Sequence, residues 1–111
     1  MELKVVQRDA RVTRVALSGK LDVEGESRIG DQFRGLVESS GTNFLVDMSE
    51  VSYLASLGIR LLFAAAKALA AEGQKIVVLN PQPMVEETLL NSGTARLIPI
   101  AHNEADALRL L

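Results

Sequence analysis

Two short apolar segments, separated by a long apolar helix, constrain the fold of this chain more than any other feature. Residues 43–48 and 75–80 are rich in aliphatic side chains at successive positions, which is typical of central strands covered on both faces. The segment between them is bounded by Ser56 and Gly73 and has the apolar periodicity of a helix. A strand, a helix and a second, parallel strand predict a right-handed βαβ crossover.

The segment before this unit predicts a hairpin and a helix. Residues 3–7 and 11–18 are dominated by β-branched side chains, and the turn between them falls at residues 8–10. The apolar positions of residues 24–38 repeat with helical spacing, and Asp22 is placed to cap the start of that helix. The helix is predicted to end at Gly41, because glycine adopts the left-handed conformation that commonly terminates a helix.

The segment after the second central strand predicts three further elements. Pro81 and Pro83 can open a helix, since proline is tolerated in a first turn. A short edge strand follows, where Pro99 fits an edge better than a centre. These elements are predicted over residues 84–91 (helix), 97–100 (edge strand) and 104–111 (helix). The fold class is therefore α/β, with a mixed sheet of about four to five strands and about four helices.

Composition narrows the class of protein. The 111 residues predict one domain spanning residues 1–111. Only 4% of residues are aromatic and the net charge is -2 with no basic block, which argues against a nucleic-acid-binding surface. Cysteine is absent, so disulfides and thiolate metal sites are excluded. No apolar run reaches the roughly 18 residues of a spanning helix, and no signal-peptide pattern opens the chain, so cytoplasmic localisation without membrane insertion is expected.

The residues that usually carry catalysis are sparse. His102 is the only histidine and stands beside Asn103 at a predicted helix start, where capping or exposure is expected. No glycine-rich phosphate loop occurs, and the neighbouring acids Glu86 and Glu87 are expected to be solvated on a helix. The sequence therefore predicts no catalytic residue, no metal site and no cofactor, and the protein is not expected to be an enzyme.

Asp47 stands at the end of the first central strand, as the acceptor aspartate does in response-regulator receivers. A receiver also needs paired acids after its first strand and a lysine after a late strand, and neither is present here. The structural interpretation is that Asp47 accepts backbone N–H bonds in a loop leading to Ser56.

The helix that follows Ser56 has a clear inner and outer face. At 100° per residue, Gly58, Leu62, Ala65 and Leu69 share the face expected to meet the sheet. The opposite side, expected to see solvent, carries Arg60, Ala64, Lys67 and Ala71. Leu57 and Phe63 flank this outward sector, and they either frame a partner surface or pack under neighbouring loops.

Ser56 itself lies at the predicted start of this helix, where backbone N–H groups are unpaired and the dipole favours negative charge. Local chemistry alone suggests an ordinary serine N-cap. The alternative is a hydroxyl that is phosphorylated as a switch.

An ordered set of short motifs resembles the STAS family, and within it the bacterial anti-sigma factor antagonists. The resemblance extends from about residue 5 to residue 110. It is carried by residues 19–22 (Gly-Lys-Leu-Asp), 46–51 (Val-Asp-Met-Ser-Glu-Val), 52–59 (Ser-Tyr-Leu-Ala-Ser-Leu-Gly-Ile), 91–93 (Asn-Ser-Gly) and 97–100 (Leu-Ile-Pro-Ile). It implies the STAS fold, with helices mainly on one face of the sheet.

The resemblance also implies a function. The unphosphorylated protein would bind an anti-sigma factor, a serine kinase of the histidine-kinase-like ATPase fold, and phosphorylation of Ser56 with the partner's ATP and Mg²⁺ would end binding. A monomer or weak dimer is expected. The implied partner-binding residues are Asp22, Ser52, Leu57, Gly58, Arg60 and Phe63, with Asp47 as a structural residue near the site.

Two alternatives stay open. Ala55 and Leu57 flank Ser56 where the family commonly has an acidic and a second hydroxyl residue, which favours a non-phosphorylated scaffold or a subunit of a transporter or stress-signalling complex. The other alternative is a small-ligand or nucleotide-binding module.

Overall fold

A five-stranded mixed sheet with four α-helices forms the protein in a computed structural model that describes all residues 1–111. The five strands lie in the sheet in the order in which they occur along the chain; the first is antiparallel to the second, and the other neighbours are parallel. The elements are β1 (Glu2–Arg8), β2 (Val12–Leu21), α1 (Val23–Ser40), β3 (Asn43–Leu54), α2 (Ser56–Ala71), β4 (Ile76–Leu79), α3 (Pro83–Asn91), a 3₁₀ turn (Thr94–Arg96), β5 (Ile100–Ala101) and α4 (Glu104–Leu110). The predicted fold class is confirmed.

The two faces of the sheet are covered unequally. The main core contains side chains of α1, α2 and α3 packed against one face, and Phe44, Val46 and Met48 of β3 point into it. Leu45 points to the other face, into a small cluster beneath α4. This alternation follows from the two-residue period of a strand, and it places three of the four helices on one side.

The β1–β2 hairpin is fixed by its turn, as the sequence predicted. Asp9 Oδ1 accepts the backbone N–H groups of Arg11 at 2.8 Å and Val12 at 3.0 Å. The side-chain amide of Gln7 donates to Asp9 Oδ2 at 2.7 Å. The Gln7 bond and then the two backbone bonds stabilise the carboxylate and lower the pKa of Asp9 to about 2.

Both ends of α1 carry the predicted caps. Asp22 Oδ1 accepts the N–H of Gly25 at 2.8 Å, and Gly41 ends the helix in the left-handed conformation at φ 60°. The helix extends slightly beyond the predicted residues 24–38 at both ends.

Replacing Asp22 with alanine is expected to destabilise the protein by about 1 kcal/mol, because the first turn of α1 loses its side-chain acceptor. Urea unfolding of the two proteins measures this difference. Asp22→Asn is the matched control, since asparagine caps about as well as aspartate, and an equal loss in both variants would contradict the capping role.

The predicted end of the first central strand is wrong. That strand was expected to stop at Met48, but β3 continues to Leu54. Its second half pairs with β2, where Leu21 lies opposite Leu54, whereas β4 pairs no further than Asp47. The ends of β2 and β3 therefore form a ribbon that projects beyond β4; β1 lies beside this ribbon as far as the pair of Glu2 with Ser18, and only the tip has two strands. Two register shifts in this ribbon place Val51 and Leu54 in the core although polar residues separate them.

The predicted edge strand is also displaced. Residues 97–100 were expected to form it, but the strand is Ile100–Ala101, and part of the preceding segment is a 3₁₀ turn. The carbonyl of Pro99 accepts the N–H of Val78 at 3.0 Å, which begins the ladder with β4. Proline has no N–H to donate to β4, so the ladder does not extend to the residues before Pro99.

None of the helices combines the length and the apolarity needed to span a membrane.

Candidate functional site

The starts of α1 and α2 lie side by side at the end of the projecting ribbon. Leu21 and Leu54 are paired across β2 and β3, and each strand is followed within two residues by a helix. The backbone N–H of Ala55 donates to the carbonyl of Leu21 at 3.0 Å, which ties the two strand-to-helix connections together. This pairing brings Asp22 and Ser56 to the same end of the sheet.

Ser56 is the first residue of α2 and does not cap it. The N-cap residue is Ala55, in an extended conformation and without a capping side chain. The expected serine N-cap is therefore wrong. Because β3 extends to Leu54, the chain enters the helix one residue earlier than the sequence suggested. The Ser56 residue is exposed, so its hydroxyl stays available to a partner.

The start of α2 has no negative charge of its own. It lacks both a side-chain cap and an acidic residue in the first turn. The starts of α1 and α4, in contrast, have Asp22 and Asn103 as caps and acidic residues in their first turns. The first N–H groups of a helix need acceptors and carry partial positive charge. An anion attached at Ser56 would meet this uncompensated end.

The predicted faces of α2 are confirmed. Leu62, Ala65 and Leu69 are buried together with Gly58, whereas the four residues predicted to see solvent are exposed; these are Arg60, Ala64, Lys67 and Ala71. Arg60 is one turn from Ser56 on the outer side, and it takes part in none of the ion pairs of the protein.

Gly58 lies beneath the surface rather than on it. A Cβ atom at this position would lie 2.6 Å from Leu21 Cγ, 2.8 Å from Leu54 Cδ1 and 2.9 Å from the carbonyl oxygen of Leu21. The missing side chain lets the first turn of α2 approach the paired strand ends. Gly58 thus positions Ser56, and it offers a partner little area of its own.

Leu57 and Phe63 are both accessible. Leu57 is half-buried and is absent from both hydrophobic clusters, and Phe63 is 36% exposed. Phe63 lies two turns after Ser56 on the same face of the helix, and the ammonium group of Lys67 stands 5.6 Å from the centre of its ring.

Two exposed apolar residues at this edge were missed by the sequence analysis. Tyr53 is 51% exposed near the end of β3, and Val23 is 69% exposed at the start of α1. The sequence predicts a loop before Ser56, whereas residues 49–54 belong to β3, where Tyr53 is exposed next to the buried Leu54. We call Val23, Tyr53, Ser56, Leu57 and Phe63 the α2-start surface.

Three further predicted residues have local structural contacts. Asp47 Oδ1 accepts the backbone N–H of Ser49 at 3.0 Å and its hydroxyl at 2.7 Å. The expected backbone bond is present, but Ser49 belongs to a strand and not to a loop. Ser52 is exposed, and its hydroxyl donates a long bond of 3.5 Å to the carbonyl of Gly19. Asp22 is occupied by its cap, and no group of three potential metal ligands occurs.

Comparison with known proteins identifies a family with this fold. The family model described as STAS domain matches residues 4–107. A comparison with curated proteins finds no match. A solved STAS domain protein from Planctomyces limnophilus is similar with a TM-score of 0.83 at 17% identity, covering 97% of this chain and 96% of that one.

Two other solved structures share the fold. The Bacillus cell fate determinant SpoIIAA in its phosphorylated form has a TM-score of 0.69 at 22% identity, covering 99% of this chain and 98% of that one. The murine anion transporter Slc26a9 has a TM-score of 0.75 at 20% identity, over 94% of this chain but only 18% of the transporter. With a family match that spans nearly the whole length and a fold shared with these proteins, the chain belongs to the STAS domain family.

Proposed function

We propose that this protein is an anti-sigma factor antagonist that binds its anti-sigma factor through the α2-start surface and is released by phosphorylation of Ser56. The observation that carries the proposal is the exposed Ser56 at an uncapped helix start, with the accessible Leu57 next to it in the chain and the exposed Tyr53 three residues before it. The fold shared with SpoIIAA, a protein solved in a phosphorylated form, supports the choice of a regulatory phosphoserine.

The phosphate would act on association and not on folding. A phosphoserine adds about 1.5 to 2 negative charges. At the start of α2 this charge is favoured by about 0.3–1 kcal/mol, because the first N–H groups have no acidic neighbour. In an interface the same charge, if buried without a partner, costs several kcal/mol. A loss of about 3 kcal/mol already weakens binding more than 100-fold.

Arg60 would hold the phosphate in the released protein. It is exposed, free of ion pairs, and four residues after Ser56, the spacing at which helical side chains are neighbours. A guanidinium group binds phosphate oxygens through two parallel hydrogen bonds. Phosphorylation would therefore add negative charge to the surface that the partner contacts. It would also withdraw the Arg60 guanidinium from that contact.

The chemistry of transfer belongs to the partner. The Ser56 hydroxyl oxygen attacks the γ-phosphorus of the partner's ATP, a new O–P bond forms, and ADP leaves. The hydroxyl proton passes to a base of the kinase, and the partner's Mg²⁺ neutralises the phosphate oxygens. This chain contributes an accessible nucleophile on the first residue of α2.

Phosphosite mapping tests the proposal directly. Wild-type protein and Ser56→Ala are incubated with the anti-sigma factor, ATP and Mg²⁺, and modified peptides are identified by mass spectrometry. We expect a phosphate on Ser56 in the wild type, none in the variant, and equal or tighter binding of the variant. Labelling of Ser49 or Ser52 would assign the switch to another residue.

Leu57→Glu separates the partner surface from the core. We expect the unfolding free energy to change by less than about 0.5 kcal/mol, because Leu57 lies outside both hydrophobic clusters. Binding should weaken strongly, since the carboxylate would be desolvated in an apolar contact.

The matched control is Leu62→Glu, the same change at a fully buried position of α2. It is expected to destabilise the protein by several kcal/mol. If Leu57→Glu lowers the melting temperature as much as Leu62→Glu, then Leu57 is a core residue and does not belong to the partner surface.

A transporter subunit or scaffold is the second candidate function. The fold shared with part of Slc26a9, together with Ala55 and Leu57 beside Ser56, supports it. Affinity capture followed by mass spectrometry distinguishes the two: an anti-sigma kinase favours the first function, and a transport protein favours the second.

A further inference from the structure

A groove of about 300 Å³ lies at the amino end of β4, at the opposite end of the sheet from Ser56. Buried Ile76 lies at its base, and Ala70 of α2 lines it from one side. Leu97 and Leu110 also line it and are 42% and 39% exposed, so a large part of their apolar surface remains accessible.

The groove exists because β5 is short. The ladder between β4 and β5 begins only at the carbonyl of Pro99, which accepts the N–H of Val78. Since proline cannot donate, the chain before it leaves the sheet edge and forms the 3₁₀ turn. The first half of β4 consequently has no strand beside it on this edge, and the groove occupies that position.

The charged side chains that line the groove are both positive. Lys75 and Arg96 are its only charged lining residues, and no carboxylate lines it. Neither side chain belongs to any of the ion pairs of the protein, although the chain as a whole has a formal net charge of -2. An apolar trough with two unpaired cations is complementary to a molecule that has an apolar body and an anionic end.

We propose that this groove binds a free single-chain carboxylate, with its alkyl tail against Leu97 and Leu110 and its carboxylate at Arg96 and Lys75. The size favours a small molecule: ligand pockets begin at about 300 Å³, whereas a helix is roughly 10–12 Å across and would only lie over the trough. Arginine binds a carboxylate through two parallel hydrogen bonds, and lysine adds a point charge.

A titration with sodium octanoate, followed by NMR of the backbone and methyl groups, tests the proposal. We expect saturable shifts of Ile76, Leu97 and Leu110, with a dissociation constant on the order of 1 mM for so small a ligand. Octanol and octyltrimethylammonium have the same tail without the negative charge, and each should bind at least about fivefold more weakly. Equal binding of octanol, shifts centred on other residues, or no saturation at about ten times that concentration would overturn the proposal.

Three variants locate the site. Arg96→Gln is expected to weaken octanoate binding about fivefold, and the double change with Lys75→Gln about tenfold or more. Ala70→Leu fills the groove from an exposed helix position and should abolish binding with the fold intact, as circular dichroism would verify. Lys67→Gln removes a cation from the same helix outside the groove and should leave the affinity unchanged. An equal loss in Lys67→Gln and Arg96→Gln would reduce the effect to net charge and refute the site.

Discussion

Gly58→Val is expected to destabilise the protein by about 3 kcal/mol, at the upper end of the cost of overpacking. The Cβ atom alone would lie within 3.0 Å of two leucine side chains and of the carbonyl oxygen of Leu21. The leucine side chains can turn away, but the backbone oxygen is fixed because it accepts the N–H of Ala55. In a domain of this size the melting temperature should fall by roughly 10–15 °C, which a thermal melt measures.

Gly35→Val is the matched control. Gly35 also lies inside a helix, but no atom comes within 4 Å of the position its Cβ would take. Valine has a better helix propensity than glycine, so this variant should gain a few tenths of a kcal/mol. Destabilisation by Gly58→Val together with stabilisation by Gly35→Val would show that close packing at the start of α2 causes the loss. A melt of Gly58→Val that matches the wild type would show that α2 can retreat from the strand ends without cost.

Ser56→Asp is expected to keep the fold and lose the partner. The carboxylate sits where α2 lacks a first-turn acid, so stability should rise by about 0.3–1 kcal/mol, or roughly 1–4 °C in melting temperature. Affinity for the proposed anti-sigma factor should fall by more than about 100-fold, because the carboxylate would be desolvated in the interface and would compete with the partner for Arg60. Thermal melts and calorimetric titration measure both quantities on one sample.

Ala105→Asp supplies the matched control for charge. Ala105 is exposed in the first turn of α4, and α4 packs on the opposite face of the sheet from α2. The variant adds the same charge at another helix start, and its affinity for the partner should equal that of the wild type. A folded Ser56→Asp that binds normally would exclude Ser56 as the switch, and a loss shared with Ala105→Asp would point to net charge.

Local signals in the sequence predicted the elements that local chemistry controls. Asp22 and Gly41 mark the ends of α1 because capping depends on one side chain and one backbone angle. The faces of α2 follow from helical periodicity alone, and its outer residues were identified with no knowledge of the sheet.

The errors fall where partners distant in sequence decide the conformation. Polar and apolar side chains do not alternate regularly over residues 49–54. The register shifts in the pairing with β2 explain why Val51 and Leu54 are both buried. Because of this pairing the N-cap is Ala55 and not Ser56, and the exposed position of Tyr53 was not predicted. The displaced edge strand has the same origin, because the place where β5 begins is set by Val78 on β4.

The ribbon formed by the ends of β2 and β3 has a consequence for access. It extends four residue pairs past the last pair of β3 with β4, and the part of β2 involved spans roughly 15–20 Å. Ser56 follows the end of this ribbon and is exposed, well beyond the last residue of β3 that pairs with β4. A kinase cleft must enclose the hydroxyl that it modifies. Under the proposed function, a kinase reaches the Ser56 hydroxyl on the folded chain, because the length of β3 places that residue at an exposed end of the sheet.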